Sequence, residues 1–300
     1  LKNKEHRAKN KDVLALGSNH LCSSLRADLQ THTTASDGTL TPTELVQLAR
    51  DRDVRVLAVT DHDTIAAHGE AIRDGQACGV RIIRGIEVSA LHKQGEVHVL
   101  GYGVAPSDDP TREAIEGLRE VRVSRAKAIL RKLDALGKPV SFERVRHIAG
   151  DGMIGRPHIS RAMIEAGHVQ TFEQAFDEYL GEGKPAFAPN DSLTPSQAID
   201  LIHRAHGCAV LAHPALFKGD FNVLFNDMLN AGLDGIEAFY PLHNTIQTDR
   251  YVEITNQFGL IVTGGSDFHG FNGDAEVSLG SVFLPEKTID ALDARIAQYL

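Results

Sequence analysis

The chain has 300 residues, 42% hydrophobic and 24% charged, which is enough for a full hydrophobic core and excludes wholesale disorder. Lys and Arg total 31 against 40 Asp and Glu, a formal net charge of −9, so a basic nucleic-acid or anionic-membrane surface is not expected. Three scattered cysteines, Cys22, Cys78 and Cys208, argue against a disulfide scaffold or a Cys-rich zinc site. No apolar run approaches the roughly 20 residues of a bilayer span, and the polar start of the chain does not resemble a secretory signal, so a cytoplasmic location is expected. The one compositional outlier is histidine, with 15 residues.

Residues 1–24 are weakly patterned and read as an N-terminal leader. A first strand is expected over 25–31, then a turn at Ser36-Asp37-Gly38. Thr41-Pro42-Thr43-Glu44 has the form of a helix start, with a capping Thr, Pro at the first helical position and Glu three residues after the cap. Strand 54–59 leads to Thr60-Asp61-His62-Asp63, where Asp61 and Asp63 are candidate caps for a helix over 64–77. Strands follow over 80–88 and 96–104, in a spacing typical of βα repeats in a parallel sheet or barrel. The pattern breaks near 107: a long helix over 109–137 and fragments at 141–149, 157–166 and 171–180 read as an all-helical insertion spanning 107–187. The βα pattern then resumes, with a helix over 194–205 and strands at 208–212, 235–239, 260–263 and 281–284. These alternate with helices over 221–231, 246–258 and 288–300. The expected domain plan is a barrel from 25–106 and 188–300, interrupted by the helical subdomain.

The strands end on His, Asp or Glu. Asp28 to His32 closes the first, with Asp37 near; Asp61-His62-Asp63 closes the second; Glu87, His98, His213 and the Asp267–His269 pair belong to later ones. In a (β/α) barrel the loops after the strands form the active-site face. Imidazole and carboxylate suit zinc, iron or manganese, and closely spaced ions can activate water and clamp a phosphate. Each histidine alone is more often a structural residue. Convergence from six strands points to a multinuclear metal site.

The ordered motifs Asp28-Leu-Gln-Thr-His32, Ser36-Asp37-Gly38, Thr60-Asp61-His62-Asp63, Gly85-Ile-Glu87, Val97-His98, Ala212-His213-Pro214 and Gly265-Ser-Asp-Phe-His269 resemble those of the PHP (polymerase and histidinol phosphatase) family. The resemblance is closest to stand-alone bacterial phosphoesterases with a helical insertion. It implies an α/β fold, a distorted seven-stranded (β/α) barrel of TIM-like form, and a centre of two or three divalent ions (Mn, Fe or Zn). Carried over, one ion is held by His32, Glu87 and Asp267 with position 30 as fourth ligand. A second is held by Glu87, His98 and His213, and a third by Asp37, His62 and His269. The first motif departs from the family's His-x-His, because Gln30 replaces its first histidine. That leaves the first site loosely bound, water-completed or empty.

The resemblance implies hydrolysis of a phosphomonoester, in the first instance the 3′-phosphate of nucleoside 3′,5′-bisphosphates, through a metal-activated water. Glu87, His269 and Asp63 are the candidate catalytic residues. Gly155-Arg156-Pro157-His158 opens a helix, a place suited to an anion, so Arg156 and His158 are candidate substrate contacts, followed by Lys184 and His243. Two alternatives stand beside this reading: a 5′-3′ exoribonuclease on very short oligoribonucleotides, and a non-catalytic nucleotide binder with a degenerate metal site. The expected partner is a small phosphorylated nucleotide or very short oligonucleotide. Neither long nucleic acid nor a membrane is expected, since no basic track interleaved with aromatics is evident.

Overall fold

A computed structural model describes residues 26–189, 193–270, 277–285 and 287–300. The leader expected over 1–24 lies outside them. Seven strands occur in chain order: β1 (Ala27–Asp28), β2 (Val56–Val59), β3 (Arg81–His92), β4 (Gly95–Tyr102), β5 (Cys208–Leu211), β6 (Gly235–Phe239) and β7 (Ile261–Gly264). They form one sheet in the order β1 to β7, each beside its sequence neighbours. The sheet curls until its ends meet. The Asp267 N–H donates to the Gln30 carbonyl at 3.0 Å and the His32 N–H to the Phe268 carbonyl at 2.9 Å. Gly265 permits this seam: a Cβ there would stand 2.4 Å from the Gln30 nitrogen. The Asp28 carboxylate fastens it from below, accepting from the Ser266 N–H, the Ser266 hydroxyl and the Gly280 N–H at 2.6–2.8 Å. The result is a nearly closed seven-stranded barrel.

The local chemistry follows the sequence. Helix α1 (Pro42–Asp51) starts at a complete capping box of Thr41 and Glu44, with Pro42 in its first turn. Helix α7 (Pro195–Arg204), which packs against β3 and β4, repeats the device with Thr194 and Gln197. Strands β2 and β5 are buried at every position, as expected of barrel strands covered on both faces. Helix α2 (His68–Cys78) starts four residues later than the sequence suggests, without a side-chain cap, because Asp61 and Asp63 are bound elsewhere. Helices α8 (Phe221–Asn230) and α9 (Thr245–Phe258) flank the later strands, and α10 (Lys287–Ile296) places Ile289 and Leu292 in the apolar cluster with Ala27, Leu100 and Val210.

Two expectations are corrected. Strand β4 runs antiparallel to both β3 and β5, not parallel, because β3 and β4 are joined by a tight turn at Lys93 and Gln94, too short for a parallel crossover. His98 therefore lies in the first half of its strand and still reaches the same barrel end as the others, opposite Ser89. Residues 281–284 form no strand; β7 already meets β1 across the seam, and Leu284 packs on the barrel core from a loop.

Between β4 and β5 lie helices α3 (Asp109–Ala135), α4 (Phe142–Ala149), α5 (Arg156–Glu165) and α6 (Phe172–Ala175), ending in a π-helical turn at Phe176–Leu180. They share an apolar core of their own, built around Leu133, Val145, Ile159, Met163 and Leu180. This is the inserted helical subdomain.

A polar clasp holds α10 at the far end of the barrel. The buried Asp234 carboxylate accepts from Arg295 and His203 at 3.0 Å, from the Tyr299 hydroxyl at 2.9 Å and from the Ala209 N–H at 2.8 Å. Burial opposes its charge, but these donors outweigh burial and hold its pKa below the usual value. A depressed folded-state pKa contributes stability that is complete above about pH 4 and is lost as pH falls through the folded value. Asp234→Asn is expected to lower stability by about 2 kcal/mol at neutral pH, with the gap to wild type narrowing in acid. Thermal melts across that range check it; a gap that stays constant in acid would contradict it.

Candidate metal centre

Every strand but β6 sends a candidate ligand to one end of the barrel, and they meet around Glu87. One Glu87 oxygen, Oε1, lies 2.6 Å from His98 Nδ1 and 3.0 Å from His213 Nε2. The other, Oε2, lies 3.0 Å from His32 Nε2, 3.1 Å from Gln30 Nε2 and 3.7 Å from His62 Nδ1. His32 Nε2 is also 3.1 Å from Asp267 Oδ1. Asp37 faces His269 Nε2 at 3.4 Å and His62 Nε2 at 3.9 Å. Three groups of donor atoms result: His32, Glu87 and Asp267; His62, Glu87 and His98; His32, Asp37, His62 and His269. His213 joins Glu87 and His98, with its Nε2 3.3 Å from His98 Nδ1.

The backbone is bent to make this possible. Asp63, His213 and Asp267 have φ of +56°, +27° and +56°, a region rarely occupied by residues with side chains and costly to hold. Such strain recurs where a fold positions functional groups.

The donor set fits divalent cations. Gln30 Oε1, His32 Nδ1, Asp37 Oδ1 and His62 Nδ1 are buried and make no hydrogen bond, while His32 Nε2 faces two carboxylates. A buried polar atom left unpaired costs about 1–3 kcal/mol, and several crowd this one place. Two or three ions would satisfy them. Burial opposes the charge on each group. Against it, Asp267 and Glu87 raise the pKa of His32 well above the usual value. The charges of His62 and His269 pull Asp37 well below the carboxylate range, and those of His62 and His98 do the same to Glu87. At His62 burial dominates and its pKa falls well below that of free imidazole.

The PHP domain family matches residues 28–205, more than half of the chain. The chain belongs to the PHP family. It is a metal-dependent phosphoesterase. This PHP protein is 35% identical over 245 residues to a 5′-3′ exoribonuclease of Haemophilus influenzae, covering 81% of this chain and 89% of that one. It is 32% identical over 246 residues to a 3′,5′-nucleoside bisphosphate phosphatase of Chromobacterium violaceum, covering 81% and 86%. Among solved structures, an amidohydrolase from Chromobacterium violaceum with bound sulfate and no metal superposes with a TM-score of 0.80 at 30% identity, covering 90% of this chain and 96% of that one.

Around the PHP centre the structure gives Asp61 and Asp63 specific partners and adds Arg122 and Glu237, which the sequence did not single out. Asp61 does not cap α2; its oxygens accept from the Thr33 N–H, the Thr33 hydroxyl and the Ser36 hydroxyl at 2.6–2.7 Å, tying the loop that carries Asp37. Asp63 does not cap α2 either. It accepts from the Ser89 N–H at 2.7 Å and from Arg122 Nε at 2.6 Å. Arg122, buried on α3, also donates to Ser89 Oγ and so anchors the insertion on the barrel. Nothing in the charged α3 sequence distinguishes this arginine from its exposed neighbours. Glu237 accepts from the His213 N–H at 2.8 Å, and the Tyr240 hydroxyl donates to Asp267 Oδ2 at 3.0 Å.

Two cavities reach the centre. One of about 460 Å³ opens at Asp37, Asp267 and His269 and is lined by Pro157, Phe172, Phe176 and Phe268. The other, about 360 Å³, opens at His98 and His213 and is lined by Arg156, Lys184 and Lys218. Arg156 is paired with Glu96 at 3.1 Å and packs on the rings of Phe176 and Phe187. His158 and His243 line neither cavity. His158 Nδ1 accepts the Gly155 N–H at 3.0 Å, and His243 donates to the Ala238 carbonyl behind Tyr240.

Tyr240→Phe removes the donor that orients Asp267. Metal affinity is expected to fall about tenfold with little change in melting temperature. Calorimetric titration of the metal-free protein checks this, and unchanged affinity would rule out the orienting role.

Proposed function

We propose that the chain is a 5′-3′ exoribonuclease that acts on very short oligoribonucleotides carrying a 5′-phosphate. The observation that carries this reading is the pair of cavities reaching the metal centre at different ligands, with Phe176 and Asp177 common to both walls. Each lies in the size range of ligand pockets, about 300–1,000 Å³, so a substrate extending to either side of the scissile ester has room. In one cavity Arg156, Lys184 and Lys218, set among Glu96, Asp177 and Glu182, offer cationic partners for the terminal phosphate; the aromatic one suits a base. The net charge of −9 and the lack of a long basic track favour short substrates over long RNA. The relative from Haemophilus influenzae bears the same activity in its name.

Divalent ions at the three ligand groups would lower the pKa of water to near neutrality and draw charge from the phosphoryl oxygens. The chain's own residues do the positioning. Glu87 sets the spacing of two of the ligand groups, since it belongs to both. His269, partly exposed and lining the aromatic cavity, meets the substrate on that side. Asp63, saturated by Arg122 and Ser89, holds the insertion over the site and acts as a positioning residue.

A second reading has its own support in the Chromobacterium violaceum relative: removal of the 3′-phosphate from nucleoside 3′,5′-bisphosphates. The two substrates share a 5′-phosphate and an esterified 3′ oxygen, and differ in whether a further nucleoside follows.

Incubation with manganese and a 5′-phosphorylated tetraribonucleotide is expected to release 5′-mononucleotides one at a time, with higher kcat/KM than release of phosphate from 3′-phosphoadenosine 5′-phosphate. Asp267→Asn should reduce both by about a thousandfold. Turnover of the bisphosphate alone would replace the first reading with the second. Nucleotide binding without turnover of either would leave a binding protein.

A further inference from the structure

The three ligand groups differ in donor chemistry, and the difference traces to one residue. The group around His98 is rich in nitrogen: His62, His98 and His213 about one Glu87 oxygen or its partner. The group around Asp37 also draws on imidazoles, from His32, His62 and His269. The group of His32, Glu87 and Asp267 has one imidazole and two carboxylates, with Gln30 beside it.

Gln30 is fully buried. Its amide nitrogen donates to Glu87 Oε2 at 3.1 Å, which fixes the orientation of the amide, because the flipped rotamer would set oxygen against carboxylate. The amide oxygen is thereby left without any hydrogen-bond partner. The backbone cannot move to relieve it. The Gln30 carbonyl accepts from Asp267 N–H in the barrel seam, and Gly265 presses against its N, Cα and Cβ. An unpaired, oriented, buried oxygen on a side chain that already touches Glu87 is a ready donor for a cation.

We infer that Gln30 turns the His32–Glu87–Asp267 position into an oxygen-rich site that favours a harder ion, manganese or magnesium, while the nitrogen-rich positions favour zinc or iron, so that the centre discriminates between metals internally. This rests on the reading of the three groups as metal sites. The physical basis is ligand softness: carboxylate and carbonyl oxygens suit magnesium and manganese, and imidazole suits zinc and iron.

The test uses the full chain, stripped with a chelator, loaded with manganese and dialysed against graded zinc. Retained manganese is followed by its paramagnetic resonance and by elemental analysis. In wild type the last manganese is expected to resist zinc; in Gln30→His it should be displaced at zinc concentrations about tenfold lower. Gln30→Ala, which adds no bulk, should lose that manganese at about tenfold higher free-metal concentration than wild type. Melting curves confirm that each variant is folded. The same zinc midpoint in Gln30→His and wild type, or undiminished manganese affinity in Gln30→Ala, would overturn the inference. Absence of bound metal from all three folded proteins would overturn the metal-centre reading with it.

Discussion

A buried carboxylate sets the terms for this molecule. Glu87 is almost fully enclosed, where an isolated negative charge is prohibitively unfavourable. Four imidazoles and one amide crowd its two oxygens, and they come from β1, β2, β4 and β5 or the loops that follow them. Strands β2 and β4 pair directly with β3, and the curl of the closing barrel brings the ends of β1 and β5 to the same carboxylate. The seam between Gln30 and Asp267 is therefore part of the site as much as part of the scaffold. The same Gln30 that supplies a backbone carbonyl to the seam supplies its amide to Glu87.

Outside that centre, a ring of acceptors and donors fixes the ligands. Asp61 holds the Asp37 loop, Glu237 the His213 backbone, and Tyr240 the Asp267 carboxylate. The insertion is coupled to the same network through Arg122 and Asp63. Breaking such a buried pair by removing one partner typically costs about 3–5 kcal/mol, so the roof over the cavities is firmly tied to the ligand loops. The fold thus joins a rigid, strained set of ligands to two cavities whose shared wall, Phe176 and Asp177, lies at the start of a π-helical turn, a feature often found at functional sites.

Much of this was legible in the residues. The capping boxes at Thr41 and Thr194 marked helix starts to the residue, and the apolar runs at Val56 and Cys208 marked strands. The acidic and histidine residues at strand ends identified the centre, because chemistry and chain order agree there. The antiparallel direction of β4 was implicit in its short link to β3, which no parallel crossover could span, although the βα spacing pointed the other way. Capping, the plainer of the readings open for Asp61 and Asp63, fails because tertiary partners claim both carboxylates. Arg122 and Tyr240 left no local signal at all. Their roles arise from contacts with residues 59 and 27 positions away in the chain.

The central claim is that Glu87 is shared between metal sites rather than serving as a structural anion. Anomalous diffraction at the manganese edge, from crystals grown with manganese, tests this most directly. The account predicts ions bound to both Glu87 oxygens at about 2.0–2.2 Å, one on the side of His98 and His213 and one on the side of His32 and Asp267. Ordered histidines around Glu87 with no ion at either oxygen would contradict it.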